Sequence, residues 1–583
     1  MPDVPKTDAE KVKFCKQTLT VLKNEREQVE PEVDEVIKFV NHGRRLITDG
    51  GENKGNKGRR TGRDVYDGTA MSAAGLAADG IHGYLCSKSI HWFSFILTTR
   101  MNFPRISGMR QWDDKRMDEH PDVKKWLENC EEVQYASYLR SNFYDSSPRF
   151  IREAMTIGTA THIIEEDIGA GRIHFTLPHF RECYIAENQF GEVDTLYRVY
   201  DLTMKQLVQK FGEEFLKLHD KFEDEYKKNP YLEKNILHAT FPRSDYDPVM
   251  VNKKNKPIAS FWILMEGNED KALIDESGFN DLPSISWRWR KNNDEKYGRS
   301  PAWDAMVDIK KGNQQGKDNL IGAHKLVDPP MYAPADMRGN VRTGPGAWTF
   351  DDKASRDRQP VPLYQGIQLP YGIDQQERTD KAIREHFHVK YFTALAKAAE
   401  DKVEMTATQA MGIQAELAAL LGTRMGRFQS EALDPTQDRV WRINVRAGFM
   451  PEPPQILLDM GWNSMPELDY VGPMAQAQKN MFRIGGIRAG IAVAVEVSQL
   501  HPMALDLIDG DKMMIQALEA SGFPANATRS PAEVKEIRMI RQQQEQTAQM
   551  LEQVEQASKA SRNLAKGPDE GSPLKLLTEG PEA

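Results

Sequence analysis

Apolar positions recur at helical spacing through residues 4–40, among many charges, and again through Tyr66–Ser87, where YDGTAMSAAGLAADGIHGYLCS is rich in small residues and suits close helix packing. Short runs then read as strands: THIIEE (Thr161–Glu166), RIHFTLP (Arg172–Pro178) and TLYRVYDL (Thr195–Leu202), the last two alternating apolar with polar. Residues 60–295 therefore read as α+β. In Trp287–Arg290 tryptophan alternates with arginine, which fits a strand burying both indoles on one face and presenting the arginines on the other. The competing reading, aromatics and cations interleaved for single-stranded nucleic acid, weighs less.

Downstream the pattern turns helical and polar. Ser300 as N-cap with Pro301 at the first helical position predicts a helix over 300–325, stopped by Asp328–Pro330. Its apolar stripe, Ala302, Met306, Ile309, Leu320 and Ala323, is thin, so this helix must be solvated or packed on copies of itself. A Pro- and Gly-rich insertion with β-like pieces (GAWTF, VPLYQG) spans 326–373, and a second helix runs from Asp374 to Lys397. The stretch AAEDKVEMTATQAM (Ala398–Met411) then interrupts it with four charges among Glu400–Glu404, and Thr406 with Gln409 restarts the helix through a capping box. The next helix has a stronger stripe, Ile413, Leu417, Leu420, Leu421, Met425 and Phe428; Asp434 and Pro435 are expected to cap a separate helix carrying Val440, Trp441 and Ile443. Short helical pieces follow over 451–529. A helix over 530–564 opens at Ser530–Pro531 with a half-polar seam, and 565–583 is expected to be disordered.

The 583 residues leave room for several domains and ample core. Cys15, Cys86, Cys130 and Cys183 are far apart with no CxxC pair, which argues against a zinc ribbon or disulfide framework and for a reducing compartment. No apolar run reaches the ~20 residues needed to cross a bilayer, and the N-terminus lacks a signal peptide's apolar core. A net charge of −9 excludes a protein that coats itself with nucleic acid, so any DNA contact must be local or weak. Candidate chemistry is sparse. The basic, Gly-rich Asn41–Arg63 is not a phosphate loop, because Gly50–Gly55 is followed by Asn56 and Lys57. His386 and His388 would face different sides of a helix, Asp506–Asp511 lacks calcium-loop spacing, and Glu165, Glu166 and Asp167 fit hairpin charges better than an acid/base pair. No catalytic, metal or cofactor site emerges.

Six segments together carry a family resemblance: DVYDGTAMSAAGLAADGIHGYLCSKSIHWF (Asp64–Phe93), SNFYDSSPRFIREAMTIGTATHIIEE (Ser141–Glu166), ENQFGEVDTLYRVYDLTMKQLVQKFG (Glu187–Gly212), RWRKNNDEKYGRSPAWDAMVDIKKGN (Arg288–Asn313), MTATQAMGIQAELAALLGTRMGRFQSEALDP (Met405–Pro435) and SPAEVKEIRMIRQQQEQ (Ser530–Gln546). The chain resembles the head-to-tail connector, or portal, proteins of short-tailed bacteriophages over nearly its whole length. The resemblance implies a mainly helical α+β portal architecture in a dodecameric ring around a DNA channel. Its parts would be a wing over 1–299 with part of the later helices, stem helices over 300–325 and 374–398, and a clip over 326–373. A tunnel loop over 399–405, linking helices over 406–450, a crown over 451–529 and a C-terminal barrel helix over 530–564 would follow. It further implies a non-enzymatic virion protein at the capsid portal vertex, present in host cytoplasm during assembly, without cofactor or membrane. Its partners would be double-stranded viral DNA, the major capsid protein, a scaffolding protein, the terminase motor and a tail adaptor. In the tunnel loop, Lys402 would touch phosphates while Glu400, Asp401 and Glu404 repel them, which suits sliding rather than gripping. Lys310, Lys311 and Lys317 of the stem would contact the DNA backbone weakly, or else pair with acids of a neighbouring subunit. The rival readings are a scaffold-like internal virion protein without a ring and a nucleic-acid-processing enzyme.

Overall fold

A capping box starts the first helix: the Glu10 N–H donates to Thr7 Oγ1 and the Thr7 N–H to the Glu10 carboxylate, each at 3.4 Å. In the computed structural model the described residues are 7–41, 64–97, 120–327 apart from six loop positions, 331–332, 361–362, 369–390, 426–459 and 465–471, with isolated positions beyond 489. In chain order they form α1 (Asp8–Glu27), α2 (Glu30–Phe39), α3 (Thr69–Leu85), β1 (Phe93–Ile96), α4 (Pro121–Arg140), α5 (Phe143–Ile157), β2 (Thr159–Asp167), β3 (Arg172–Thr176), β4 (Cys183–Glu187) and β5 (Val193–Thr203). Next come α6 (Met204–Phe211), α7 (Phe222–Lys228), β6 (Glu233–Pro242), β7 (Ile258–Leu264), β8 (Leu273–Phe279), β9 (Ser284–Arg288), α8 (Pro301–Asp304) and α9 (Met306–Val327). Then follow β10 (Met331–Tyr332), β11 (Val361–Pro362), α10 (Leu369–His386), a π turn (Gln429–Leu433), α11 (Asp434–Arg446), α12 (Gln455–Asp459) and β12 (Glu467–Tyr470). The fold is mixed helix and sheet, as the sequence pattern predicts.

One antiparallel sheet has the order β4-β5-β6-β7-β8. Alternate side chains point to opposite faces of a strand, and here both faces are covered. Leu237, Ala239, Phe261 and Ile263 pack on Val12, Cys15, Leu19 and Leu22 of α1, while Ile236, Trp262 and Leu264 pack on Met204 and Leu207 of α6 and on Phe215 and Phe222. A second sheet, β3-β2-β9, backs onto α5, and the small residues of α3 (Ala70, Ala73, Ala74, Ala77, Ala78) are buried in the same core as Trp92, Trp287, Phe387, Phe428 and Trp441. The four cysteines are buried and free.

Two local differences from the sequence reading have physical causes. Helix α10 begins at Leu369, five residues before the expected Asp374, because Pro370 is tolerated in a first helical turn, where its missing N–H has no partner to lose. It is also interrupted at Phe387–His388 and is helical again at Val389 and Lys390, while the remainder of the stretch expected to reach Lys397 lies outside the described residues. His388 adopts a left-handed φ of 57°, and the buried Phe387 and Val389 on either side of it both reach the main core, which a regular helix would not permit for residues two apart. The range read as crown opens within the same body: β12 pairs antiparallel with β1, Tyr470 opposite Phe93. The chain divides into two units between Gln478 and Lys479. In the second, positions 537–544 are helical, with Met539 and Ile540 exposed.

Candidate functional site: a rooted two-helix stem

The segment expected to begin the stem is held at its base by an exchange of backbone and hydroxyl hydrogen bonds. Ser300 caps α8 as predicted, its Oγ accepting from the Trp303 N–H at 3.2 Å, and the same hydroxyl donates to the Thr156 carbonyl at 2.6 Å. Just before it, two glycines cross. A Cβ at Gly158, whose φ is +105°, would overlap the Gly298 carbonyl, and one at Gly298 would overlap that of Gly158. The Gly298 N–H donates to Thr159 Oγ1 at 2.8 Å, and Arg290 forks onto both carboxylate oxygens of Asp304 at 2.9 Å. Ala302, Ala305 and Ile309 are buried in the main core. The near half of the predicted stripe is thus satisfied inside the chain, where the expectation was solvent or copies of the same helix, because residues of α3, α5 and β9 share its core.

Helices α9 and α10 run antiparallel. His386 meets Asp308 at 3.4 Å, a Cβ added at Gly312 would lie 3.4 Å from Thr379 and 3.5 Å from Ile383, and Asn319 donates to the Gly372 carbonyl at 3.2 Å and to Gln376 at 2.8 Å. Gly372 leaves room for the Asn319 amide, where a Cβ would overlap its oxygen. The Tyr66–Asp67 segment lies along α9: the Tyr66 N–H donates to Asn313 at 2.6 Å, and a Cβ at Gly312 would stand 2.8 Å from the Asp67 carboxylate. The far half differs from the root. Leu320, Ile321, Leu326, Val327 and Ile373 are exposed, as is Val307. The insertion between the two helices contains the antiparallel β10–β11 pair, the latter within the predicted VPLYQG.

Among the candidate stem lysines, all three are exposed. Lys310 donates to Glu35 of its own chain at 2.7 Å, because α2 packs beside the root of α9. Lys317 lies 6.0 Å from the Tyr66 ring centroid. Glu400, Asp401, Lys402 and Glu404, with the whole of 399–405, lie outside the described residues.

Sequence reasoning missed two buried arginine hubs. Arg288, expected on the open face of its strand, is fully buried; it donates to Glu431 (Nη2 2.8 Å, Nε 3.3 Å), to the Gly191 carbonyl at 3.0 Å and to Glu187. Both faces of β9 are covered, and the carboxylates that neutralise the guanidinium come from positions 101 and 143 residues away in sequence. Arg26 of α1 is equally buried, donating to the carbonyls of Phe180, Arg181 and Cys183 and to Glu30, with Tyr184 stacked 3.8 Å from its guanidinium carbon. An arginine between helical apolar positions was the only available signal. A further correction concerns Asp434, which does not cap a separate helix: its backbone is helical, and the π turn runs straight into α11. Asp434 instead accepts from the Tyr470 hydroxyl at 2.5 Å, which ties β12 to α11.

The weighed acids behave as hairpin charges: Asp167 pairs with Arg172, Glu166 with Arg446 and Glu165 with Lys210. Among the described residues there is no group of three His, Cys, Asp or Glu side chains placed to hold a metal, and no helix is long and apolar enough to cross a membrane.

The chain is 29% identical over 526 residues to the portal protein of Salmonella phage epsilon15, with 88% of each chain covered. It is 26% identical over 465 residues to the probable portal protein of Bordetella phage BPP-1, with 78% of each covered. A sequence family described as bacteriophage head to tail connecting protein matches residues 12–528, from α1 through α9 and α10 and beyond β12, and the chain belongs to that family.

Proposed function

We propose that this chain is the portal vertex subunit of a tailed phage, assembling as a dodecameric ring whose central channel passes double-stranded DNA during packaging and ejection. The observation that carries the reading is the α9–α10 pair, rooted in a mixed wing yet leaving Leu320, Ile321, Leu326, Val327 and Ile373 exposed. A ring supplies the missing partner: each stem buries that surface against the next subunit through a heterologous contact that closes by rotation. In this reading 326–373 is the clip that meets the terminase motor and then the tail adaptor, while the wing meets the capsid and scaffolding proteins. Residues 399–405 form the channel loop. Lys311 and Lys317, which among the described residues have no acid holding them as Glu35 holds Lys310, contribute weak phosphate contact in the stem. The overall negative charge supports a conduit that lets DNA slide, because many counterion-releasing contacts would hold it in place.

Native mass spectrometry and negative-stain imaging of the purified chain test the assembly. Rings of about a dozen subunits with a central hole support it, and a monomer at every salt concentration rejects it. Replacing 399–405 with a Gly-Ser linker is expected to leave rings intact while impairing DNA packaging or retention. Loss of rings in that variant would reject the loop assignment.

A further inference from the structure

The β4–β5 turn holds one aromatic side chain out from a rigid support. The Asn188 N–H donates to the Glu192 carbonyl at 2.8 Å and the Gly191 N–H to the Asn188 carbonyl at 3.0 Å, while Asn188 Oδ1 accepts from the N–H groups of Phe190 and Glu192 at 2.8 and 3.0 Å. Gly191 takes the left-handed φ of 78° that closes the turn. From behind, the buried Arg288 donates to the Gly191 carbonyl and to Glu187. Phe190 at the tip is nevertheless 78% exposed. An aromatic presented on a turn with so little freedom has already met much of the ordering cost of binding, which is what an interface anchor requires.

At the far end of β2, α4, the β2–β3 hairpin and α11 border an open groove of about 390 Å³, lined by Val133, Ala136, Ile173, Ile443, Ala447 and Phe449. Gly448, with φ of 72°, ends α11, and the Phe449 N–H donates back to the Asn444 carbonyl at 3.0 Å, so Phe449 is fixed beside the groove while 60% exposed. Most charges around the groove are already matched, Asp167 with Arg172 and Glu166 with Arg446. Arg140, which also lines it, is exposed and has no acid among the described residues. Beside Phe190 the surplus charge is opposite: Lys291 is taken by Glu187, and the exposed Glu192 has no cation among the described residues. Arg288 stands opposite Thr159 at the start of β2, and Asp167 ends that strand, so turn and groove lie about 25 Å apart at ~3.3 Å per residue. They cannot meet within one chain.

We propose that Phe190 of one subunit seats in this groove on the next, with Glu192 meeting Arg140. The inference deepens the ring reading above and rests on it. Knob and groove are different surfaces at opposite ends of one strand, so the contact is heterologous: each subunit gives its turn to one neighbour and its groove to the other, and repetition by rotation closes a ring. Seating removes the exposed faces of Phe190 and Phe449 from water together, and the single pair of opposite charges beside them fixes the register.

The test uses the full chain, with assembly followed by native mass spectrometry over a range of protein concentrations and the folding of each variant by circular dichroism. F190D puts a carboxylate in place of the ring and is expected to raise the concentration for half-assembly by at least about tenfold. E192R and R140E are each expected to weaken assembly, and E192R/R140E to assemble more readily than either, which a general loss of stability would not produce. All three side chains are exposed, so the changes leave the core intact. Assembly of F190D at the unaltered concentration, or a double variant no better than the single ones, overturns the proposal and gives the groove another occupant. An unaltered chain that stays monomeric at every concentration overturns the ring reading along with it, whereas rings indifferent to these changes overturn this inference alone.

Discussion

Replacing Arg288 with alanine removes the cation from one of the most thoroughly buried ionic clusters among the described residues. The side chain is 2% exposed, and its loss strands the carboxylates of Glu187 and Glu431, themselves 14% and 19% exposed. Breaking a buried pair typically costs about 3–5 kcal/mol, most of it the penalty for the charge left behind. Here each stranded carboxylate keeps a second cation, Lys291 on Glu187 at 2.6 Å and Arg427 on Glu431 at 3.2 Å, which favours the lower end of that range. The destabilisation should be local, because Arg288 connects β9, the β4–β5 turn and the π turn but does not touch α1 or α6 on the five-stranded sheet. Hydrogen exchange on the purified protein reads this directly. A loss of about 3 kcal/mol speeds exchange of the β2–β9 ladder and the π turn by about a hundredfold while β6 and β7 stay unchanged. R288K should recover only part of the protection, since an ammonium cannot reproduce the fork that reaches Glu431, Glu187 and Gly191 together. Acceleration below about fivefold, or spread evenly over the chain, would refute the claim that this cluster holds these elements together.

Other consequences follow from the same packing. Gly158→Ala is expected to destabilise the junction between α5 and α8 by at least about 2 kcal/mol, read as a lower denaturation midpoint, because alanine tolerates φ of +105° poorly and its Cβ would overlap the Gly298 carbonyl. Between α9 and α10, Gly372→Ala displaces the Asn319 amide and should be destabilising alone, yet stabilising by about 1 kcal/mol in an N319A background, where only the gain in helix propensity remains; a double-mutant cycle checks this. Burial lowers the pKa of His162 to about 3, with a smaller contribution from Arg149, and holds His238 well below its ordinary value, aided by Lys210 and Arg198. The unfolded chain therefore binds more protons than the folded one below pH ~6.5, so stability should fall on acidification from there toward pH ~3, by up to ~1.4 kcal/mol per pH unit for each histidine. Urea midpoints at pH 7.5, 6 and 5 test this, and H162F should flatten the slope.

What the sequence by itself determined is whatever is written in short-range pattern and capping chemistry. The Ser300–Pro301 start, the alternation in β3 and β5, the small-residue face of α3 and the order helix, insertion, helix all follow from which side chains recur at a period of 2 or 3.6 and which hydroxyls precede them. The six quoted segments led from that order to the connector family. Tertiary structure alone decided where long-range partners convert one local preference into another. Arg288 lies inside because Glu187 and Glu431 reach it, and Arg26 because three carbonyls converge on it. Asp434 is helical instead of capping because Tyr470, from a strand paired with Phe93, takes its carboxylate. His388 turns left-handed because Phe387 and Val389 are drawn into one core. In each case the deciding contact lies far away in sequence or depends on closure of the core, and no window of neighbouring residues contains it.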